Sequence, residues 1–105
     1  MVPVLSVGDN GKTIDLRVGH SVLLRLPENP STGYGWTLDA DSRLVEVGEK
    51  RYVHSSETVG SGGESQWSIK AMAPGTTMLR LKHWREWEGE GAVTERYEVG
   101  LVISA

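Results

Sequence analysis

Apolar residues in this chain recur at every second position, and that period decides the class of fold. Val22, Leu24 and Leu26 alternate with Leu23 and Arg25, and Tyr34, Trp36 and Leu38 with Gly35, Thr37 and Asp39. Trp67, Ile69 and Ala71 alternate with Ser68 and Lys70, and Thr77, Leu79 and Leu81 with Met78, Arg80 and Lys82. Tyr97, Val99, Leu101 and Ile103 alternate with Glu98, Gly100, Val102 and Ser104. A strand puts successive side chains on opposite faces, so this pattern predicts half-buried antiparallel strands. Leu44–Val47 opens a further segment that runs through Arg51-Tyr52-Val53, and Val4–Val7 and Thr13–Val18 are shorter candidates. No segment carries the period of an amphipathic helix.

Turn chemistry falls between these runs. Asp9-Asn10-Gly11-Lys12 is expected to close a hairpin, because Asn-Gly supplies two positive-φ positions. Asp39-Ala40-Asp41-Ser42 and Ala73-Pro74-Gly75 have ordinary turn composition. Roughly seven or eight strands, with turns every 8–12 residues or so, predict an all-β chain: an immunoglobulin-like antiparallel β-sandwich. A length of 105 residues suits one domain spanning 1–105.

Composition removes several chemistries. The chain has no cysteine, which excludes a disulfide scaffold, a thiolate metal site and a cysteine nucleophile. Its net charge of −3 argues against nucleic acid as a partner. No apolar run approaches the roughly 20 residues of a membrane-spanning helix. Met1-Val2-Pro3-Val4-Leu5 is not the start of a signal peptide. The expected location is periplasmic or secreted, with the export signal absent from this chain; the sequence leaves a cytoplasmic one open.

Three stretches do not read as ordinary short turns: Glu28–Gly33, Val59–Glu64 and Arg85–Gly91. An out-and-back pair of strands separates the first from the second, and another the second from the third. All three should therefore emerge at one end of the sandwich, with the turns at 39–42 and 73–75 at the other. In the first, Pro30 fixes its own φ and extends Asn29, while Gly33 permits a positive φ. Asn29, Ser31 and Thr32 can each bond nearby backbone, so the stretch is built to hold one shape, as a plain turn also would be. The second contains Gly60, Gly62 and Gly63. It lacks the Lys-Ser/Thr and the helix start of a phosphate loop, leaving a mobile connector or a close approach by another backbone. In the third, Arg85 and Trp87 are two apart and would share one side of an extended segment. Both are residue types enriched in binding hot spots, and Trp87, between Glu86 and Glu88, suits a core poorly.

Nothing suggests catalysis. His20, His54 and His83 lack metal-ligand spacing and a nucleophile elbow. Glu86, Glu88 and Glu90 read as a solvated loop rather than a calcium site. No catalytic residue, metal ligand or cofactor is expected.

The three stretches together resemble a known family. Asn29-Pro30-Ser31-Thr32-Gly33-Tyr34 followed by Trp36 resembles the Asn-Pro-Thr-Thr-Gly-Tyr/Phe motif of the chagasin-like inhibitors of papain-family cysteine peptidases. Gly60-Ser61-Gly62-Gly63 is similar to that family's Gly-x-Gly-Gly loop, and Arg85-Glu86-Trp87 to its Arg-Pro-Trp motif. Order and spacing agree over essentially the whole chain. Ser31 stands for a Thr and keeps the hydroxyl; Glu86 stands for a Pro, so that loop gains a charge and loses rigidity. The resemblance implies an immunoglobulin-like sandwich whose three loops form a wedge. Pro30, Ser31, Thr32 and Gly33 would sit over the catalytic cysteine of a cathepsin-L-like peptidase. Gly60 to Gly63 would lie along the cleft, Trp87 would pack on an aromatic surface of the enzyme, and Arg85 would make polar or supporting contacts. A monomer suffices. The alternative reading is an immunoglobulin-like adhesion or carbohydrate-binding module that uses Trp84 and Trp87 as stacking platforms; a metal-dependent or serine hydrolase is a third.

Overall fold

The structure, a computed structural model, describes residues 2–29, 32–54 and 63–105. Among these residues nine strands run in the order β1 (Val4–Leu5), β2 (Thr13–Arg17), β3 (Ser21–Glu28), β4 (Gly35–Asp39), β5 (Val45–Val47), β6 (Arg51–His54), β7 (Gly63–Ala71), β8 (Gly75–Trp84) and β9 (Glu95–Ser104). One sheet has the order β1-β3-β7-β5, with β6 also on β7; the other has the order β2-β9-β8-β4. The two pack face to face as the expected immunoglobulin-like sandwich. No helix among the described residues is long and apolar enough to cross a membrane.

The alternating residues are the core. Val22, Leu24 and Leu26 of β3 face Trp67, Ile69 and Ala71 of β7 on the inner side of one sheet. Leu79, Leu81, Tyr97, Val99, Leu101 and Ile103 line the inner side of the other. Trp36 joins them from β4, and Trp36 and Trp67 are both buried, at 5% and 4% exposure.

Three expectations need correction. β1 and β2 lie parallel to β3 and β9, where antiparallel pairing was expected. Alternation reports which face of a strand is buried, not the direction of its neighbour. Asp9–Lys12 does not close a hairpin either, since it joins strands of different sheets. Asn10 has φ −56° and ψ 128° and Gly11 has φ 86°, with the Lys12 N–H donating to the Asp9 carbonyl, which is a type II turn. Asn10 Oδ1 instead accepts from Glu98 N–H at 3.0 Å, and Gly11 N–H donates to Glu98 O at 2.7 Å, which starts β2 along β9. Finally, the segment from Leu44 to Val53 is two strands. Gly48–Lys50 interrupts it, and β5 and β6 each pair with a different part of β7. The strand count rises from seven or eight to nine for that reason.

Register decides which chain ends meet. Glu28 and His54 both pair with Gly63, Gly35 pairs with Trp84, and His83 pairs with Glu95. The strand ends bordering residues 29–34, 55–62 and 85–94 therefore lie together. At the other end Met72 N–H donates to Leu44 O at 2.8 Å, and Gly75, at φ +151°, lies against the Leu44 side chain.

Tyr97 fastens the amino-terminal segment. Its buried hydroxyl donates to Ser6 O at 2.8 Å. Burial, with a smaller contribution from Asp9, pushes its pKa up to about 12. Leu24 sits opposite Trp67 and is fully buried. Leu24→Ala is therefore expected to lower stability by about 2–5 kcal/mol in urea unfolding. Val102→Ala, on the outer face, should stay within about 0.5 kcal/mol.

Candidate functional site

Glu28 is the last residue of β3, although its sequence reads as the start of the first loop stretch. It continues the inward phase of Val22, Leu24 and Leu26 and is 9% exposed. A buried carboxylate is stable only if its lone pairs meet donors. Three reach it. Trp36 N–H donates to Oε1 at 2.7 Å, Lys50 Nζ donates to Oε1 at 3.0 Å, and Ser65 Oγ donates to Oε2 at 2.6 Å. Lys50 lies in the break between β5 and β6, and also donates to Trp36 O at 2.9 Å. β4 is an edge strand, so Trp36 would otherwise carry unpaired main-chain groups on its outer side. The Glu28–Lys50 pair takes the place of a neighbouring strand there. Trp36 Nε1 donates to Pro27 O at 2.9 Å, a second tie between β3 and β4. Pro27 is tolerated in β3 because β1 pairs only with Leu23 and Leu24, leaving that edge open.

Sequence reasoning missed Glu28, Lys50 and Ser65 as a group. The available signal was phase: Glu28 continues the inward positions of β3, and Ser65 those of Trp67, Ile69 and Ala71.

Of the twelve candidate site residues, Pro30, Ser31, Gly60, Ser61 and Gly62 lie outside the described residues. The other seven are placed as follows. Gly63 is not in a loop: it is the first residue of β7, held between Glu28 and His54. Thr32 is exposed; its N–H and its hydroxyl both donate to Asn29 O, at 3.2 and 2.9 Å, and its hydroxyl accepts from Tyr34 N–H at 3.2 Å. One threonine thus ties Asn29 to Tyr34. Gly33 has φ 81°, a region that favours glycine.

The third stretch is not extended, as the two-residue spacing of Arg85 and Trp87 suggested. Glu86–Glu88 forms a 3-10 turn, closed by Glu88 N–H on Arg85 O. Both side chains nevertheless reach the first stretch. Arg85 donates to Thr32 O from Nε at 3.3 Å and from a terminal nitrogen at 3.1 Å, and its other terminal nitrogen donates to Glu88 at 3.1 Å. Its guanidinium lies 4.5 Å from the Tyr34 ring centre, and Tyr34 stacks on His83 at 5.6 Å. The edge of the Trp87 ring is 3.1 Å from where a Cβ on Gly33 would lie, yet Trp87 is 73% exposed. Thr32–Tyr34 and the third stretch are therefore one braced unit that carries an exposed indole. A groove of about 140 Å³ runs beside it, with Gly33, Lys50, Trp84, Glu86 and Trp87 on its walls. Trp84 is already engaged: Lys82 Nζ lies 3.6 Å from its ring centre, and its Nε1 donates to Thr37 at 3.0 Å. Glu90 pairs with Lys82 and Arg96, and Glu88 with Arg85, so two of the three acidic side chains of this run are neutralised locally.

Burial pushes the Glu28 pKa up, but the donors Ser65, Trp36 N–H and Lys50 outweigh it and hold the carboxyl below its ordinary value of 4.5. A folded-state pKa below the unfolded one contributes stability above the unfolded value, and that stability is lost as pH falls through the folded one. Asp9, held down by Ser6 N–H, and Glu64, held down by Arg25, act in the same direction. The urea midpoint should therefore fall steadily as pH drops from about 5 to 3. Glu28→Gln should flatten part of that slope. Gly33→Ala is strained at positive φ and displaces the Trp87 ring, and should lower stability by about 1–2 kcal/mol. Gly91→Ala meets open space and is the control.

Comparison with known proteins agrees with this architecture. The family described as Chagasin family peptidase inhibitor I42 matches residues 15–101. Chagasin of Trypanosoma cruzi is 31% identical over 98 residues, which cover 88% of this chain and 89% of chagasin. The crystal structure of the cysteine protease inhibitor EhICP2 from Entamoeba histolytica superposes with a TM-score of 0.86 at 19% identity, covering 98% of this chain and 95% of that one. PbICP-C, in a structure of its complex with falcipain-2, superposes at 0.73 and 16% identity over 97% of this chain and 99% of that one. These last two likenesses are likenesses of fold. The family match over most of the chain and the identity to chagasin carry the assignment: this protein is an inhibitor rather than an enzyme, and it belongs to the chagasin family of peptidase inhibitors.

Proposed function

We propose that the chain is a single, monomeric domain that reversibly and tightly inhibits papain-family cysteine peptidases by filling the active-site cleft. Three segments at one end of the sandwich would make the wedge: Asn29–Tyr34, Gly60–Gly63, and the turn carrying Arg85 and Trp87. The observation that carries this reading is the brace between Arg85 and Thr32 O, at 3.1 and 3.3 Å, beside an indole that is 73% exposed. A segment held in one shape by its neighbour loses little entropy on docking. The same brace keeps Thr32 and Gly33 from taking the extended path of a substrate, which suits obstruction without cleavage. The chain has no thiol and no electrophile, so inhibition is non-covalent. The PbICP-C complex with falcipain-2 supports a cysteine peptidase as the partner class.

Arg85 acts here through the first segment rather than as a contact of its own, because its guanidinium is occupied by Thr32, Glu88 and Tyr34. Trp87 is the contact. The carbohydrate-binding reading loses one of its two platforms, since Lys82 covers a face of Trp84.

Titration into papain with a fluorogenic substrate is expected to show stoichiometric, reversible loss of activity. No inhibition at micromolar concentration would sink the proposal. Trp87→Ala should weaken binding by about 1–3 kcal/mol, as truncation at a hot spot does. A loss of only a few tenths would mean that the indole serves its own domain. Thr32→Ala should raise the inhibition constant by more than its effect on stability in urea explains; an equal fall in both would reduce Thr32 to a turn residue.

A further inference from the structure

Glu28 has no place in the three-segment wedge, yet its donors come from the strand ends that border two of the segments. Trp36 follows the first segment, and its N–H lies 2.7 Å from Oε1. Ser65 comes two residues after Gly63, and its hydroxyl lies 2.6 Å from Oε2. Lys50 precedes β6, the strand that leads into residues 55–62, and its Nζ lies 3.0 Å from Oε1. The main chain of Glu28 itself pairs with Gly63. One side chain thus ties together both sides of residues 29–35 and the start of β7.

We propose that Glu28 is a positioning residue for inhibition: its carboxylate fixes, relative to each other, the strand ends from which the first segment and the glycine segment spring. This rests on the inhibitor reading above. The chemistry favours a carboxylate. All three partners are donors, and an ionised carboxyl is the side chain that offers only acceptors, on two oxygens. A glutamine of the same shape can keep its oxygen for Trp36 N–H and Lys50 only by turning its amide to Ser65, whose hydroxyl must then accept instead of donate, and it loses the charge that pairs with Lys50. Gly35 fits the same arrangement, because a Cβ there would lie 3.3 Å from Glu28 Oε1. The carboxylate acts from behind the segments, since Glu28 is itself 9% exposed.

The test compares the wild-type protein with Glu28→Gln and with the milder Ser65→Ala. It reads the inhibition constant for papain, amide hydrogen exchange residue by residue, and the urea midpoint. A segment loosened by the loss of charged hydrogen bonds must be re-ordered on docking, and that cost has at most the strength of the bonds lost, so Glu28→Gln should raise the inhibition constant by up to about tenfold. Ser65→Ala should raise it several-fold. Exchange should quicken at Thr32, Tyr34 and Trp36 in both variants while Leu79, Val99 and Leu101 stay protected. A merely structural role would instead speed exchange in β8 and β9 together with the segment, in step with the urea midpoint, and would overturn the proposal. An unchanged inhibition constant in a variant whose segment amides have loosened would overturn it too, while leaving the inhibitor reading intact. Failure of the wild-type protein to inhibit papain would remove that reading and the positioning role with it.

Discussion

The loop end of this sandwich depends on how the outer edge of β4 is closed. A strand at a sheet edge leaves N–H and C=O groups without a ladder partner, and near a binding surface they would invite water or another chain. At Trp36 both groups are taken, the N–H by Glu28 and the carbonyl by Lys50. The two side chains meet each other at 3.0 Å, so the closure is an ion pair braced by main chain on one side and by Ser65 on the other. Removing Lys50 would leave the buried Glu28 carboxylate without its counter-ion, whereas Lys50 is itself open to solvent, so the cost of disruption falls on Glu28. The core strands need this tie little. The segments that spring from β3, β4 and β7 need it a great deal.

Above that base, the loop end is stiffened by contacts within itself. Arg85 spends its donors on Thr32 O and Glu88 and lies on Tyr34, which stacks on His83, which in turn lies 5.0 Å from Trp36. The layered rings connect the exposed end to the buried core without a gap. Trp87 is where the brace stops, with its ring edge against Gly33 and most of its surface in solvent. An indole held at one edge and free on its faces is suited to a partner surface, because little rotamer freedom is left to lose. Glu86 stands beside it on the wall of the groove where the family motif has proline, so this inhibitor presents a charge at that place.

Much of the fold could be read in the sequence because burial imposes alternation. That Leu24, Trp67 and the row from Tyr97 to Ile103 face inward follows from the period alone. The direction of β1 and β2 does not, since parallel and antiparallel neighbours bury the same alternate side chains. Asn10-Gly11 misled because the pair suits a type II turn between sheets as well as a hairpin turn. Arg85 and Trp87 were matched through a spacing that assumed an extended chain; the 3-10 turn at Glu86–Glu88 brings both to the first segment by another path. Glu28 was hidden by its neighbours: Pro27 and Asn29 made it look like loop, although its phase in β3 marked it as inward. The family motifs are local and therefore legible. The carboxylate that holds their frame is bonded 8, 22 and 37 residues away in sequence, and no short motif records it.

A loop end that covers the catalytic cysteine of a papain-family peptidase, as proposed, must shield its thiol from small reagents. The most direct measurement is the rate at which iodoacetate alkylates the active-site thiol of papain as this protein is added. Obstruction predicts that the rate falls in proportion to the amount added and reaches background at one equivalent. It also predicts that the alkylated enzyme, whose cleft is filled, binds the protein more weakly. An alkylation rate unchanged at excess inhibitor would contradict the account, whatever the activity assay showed.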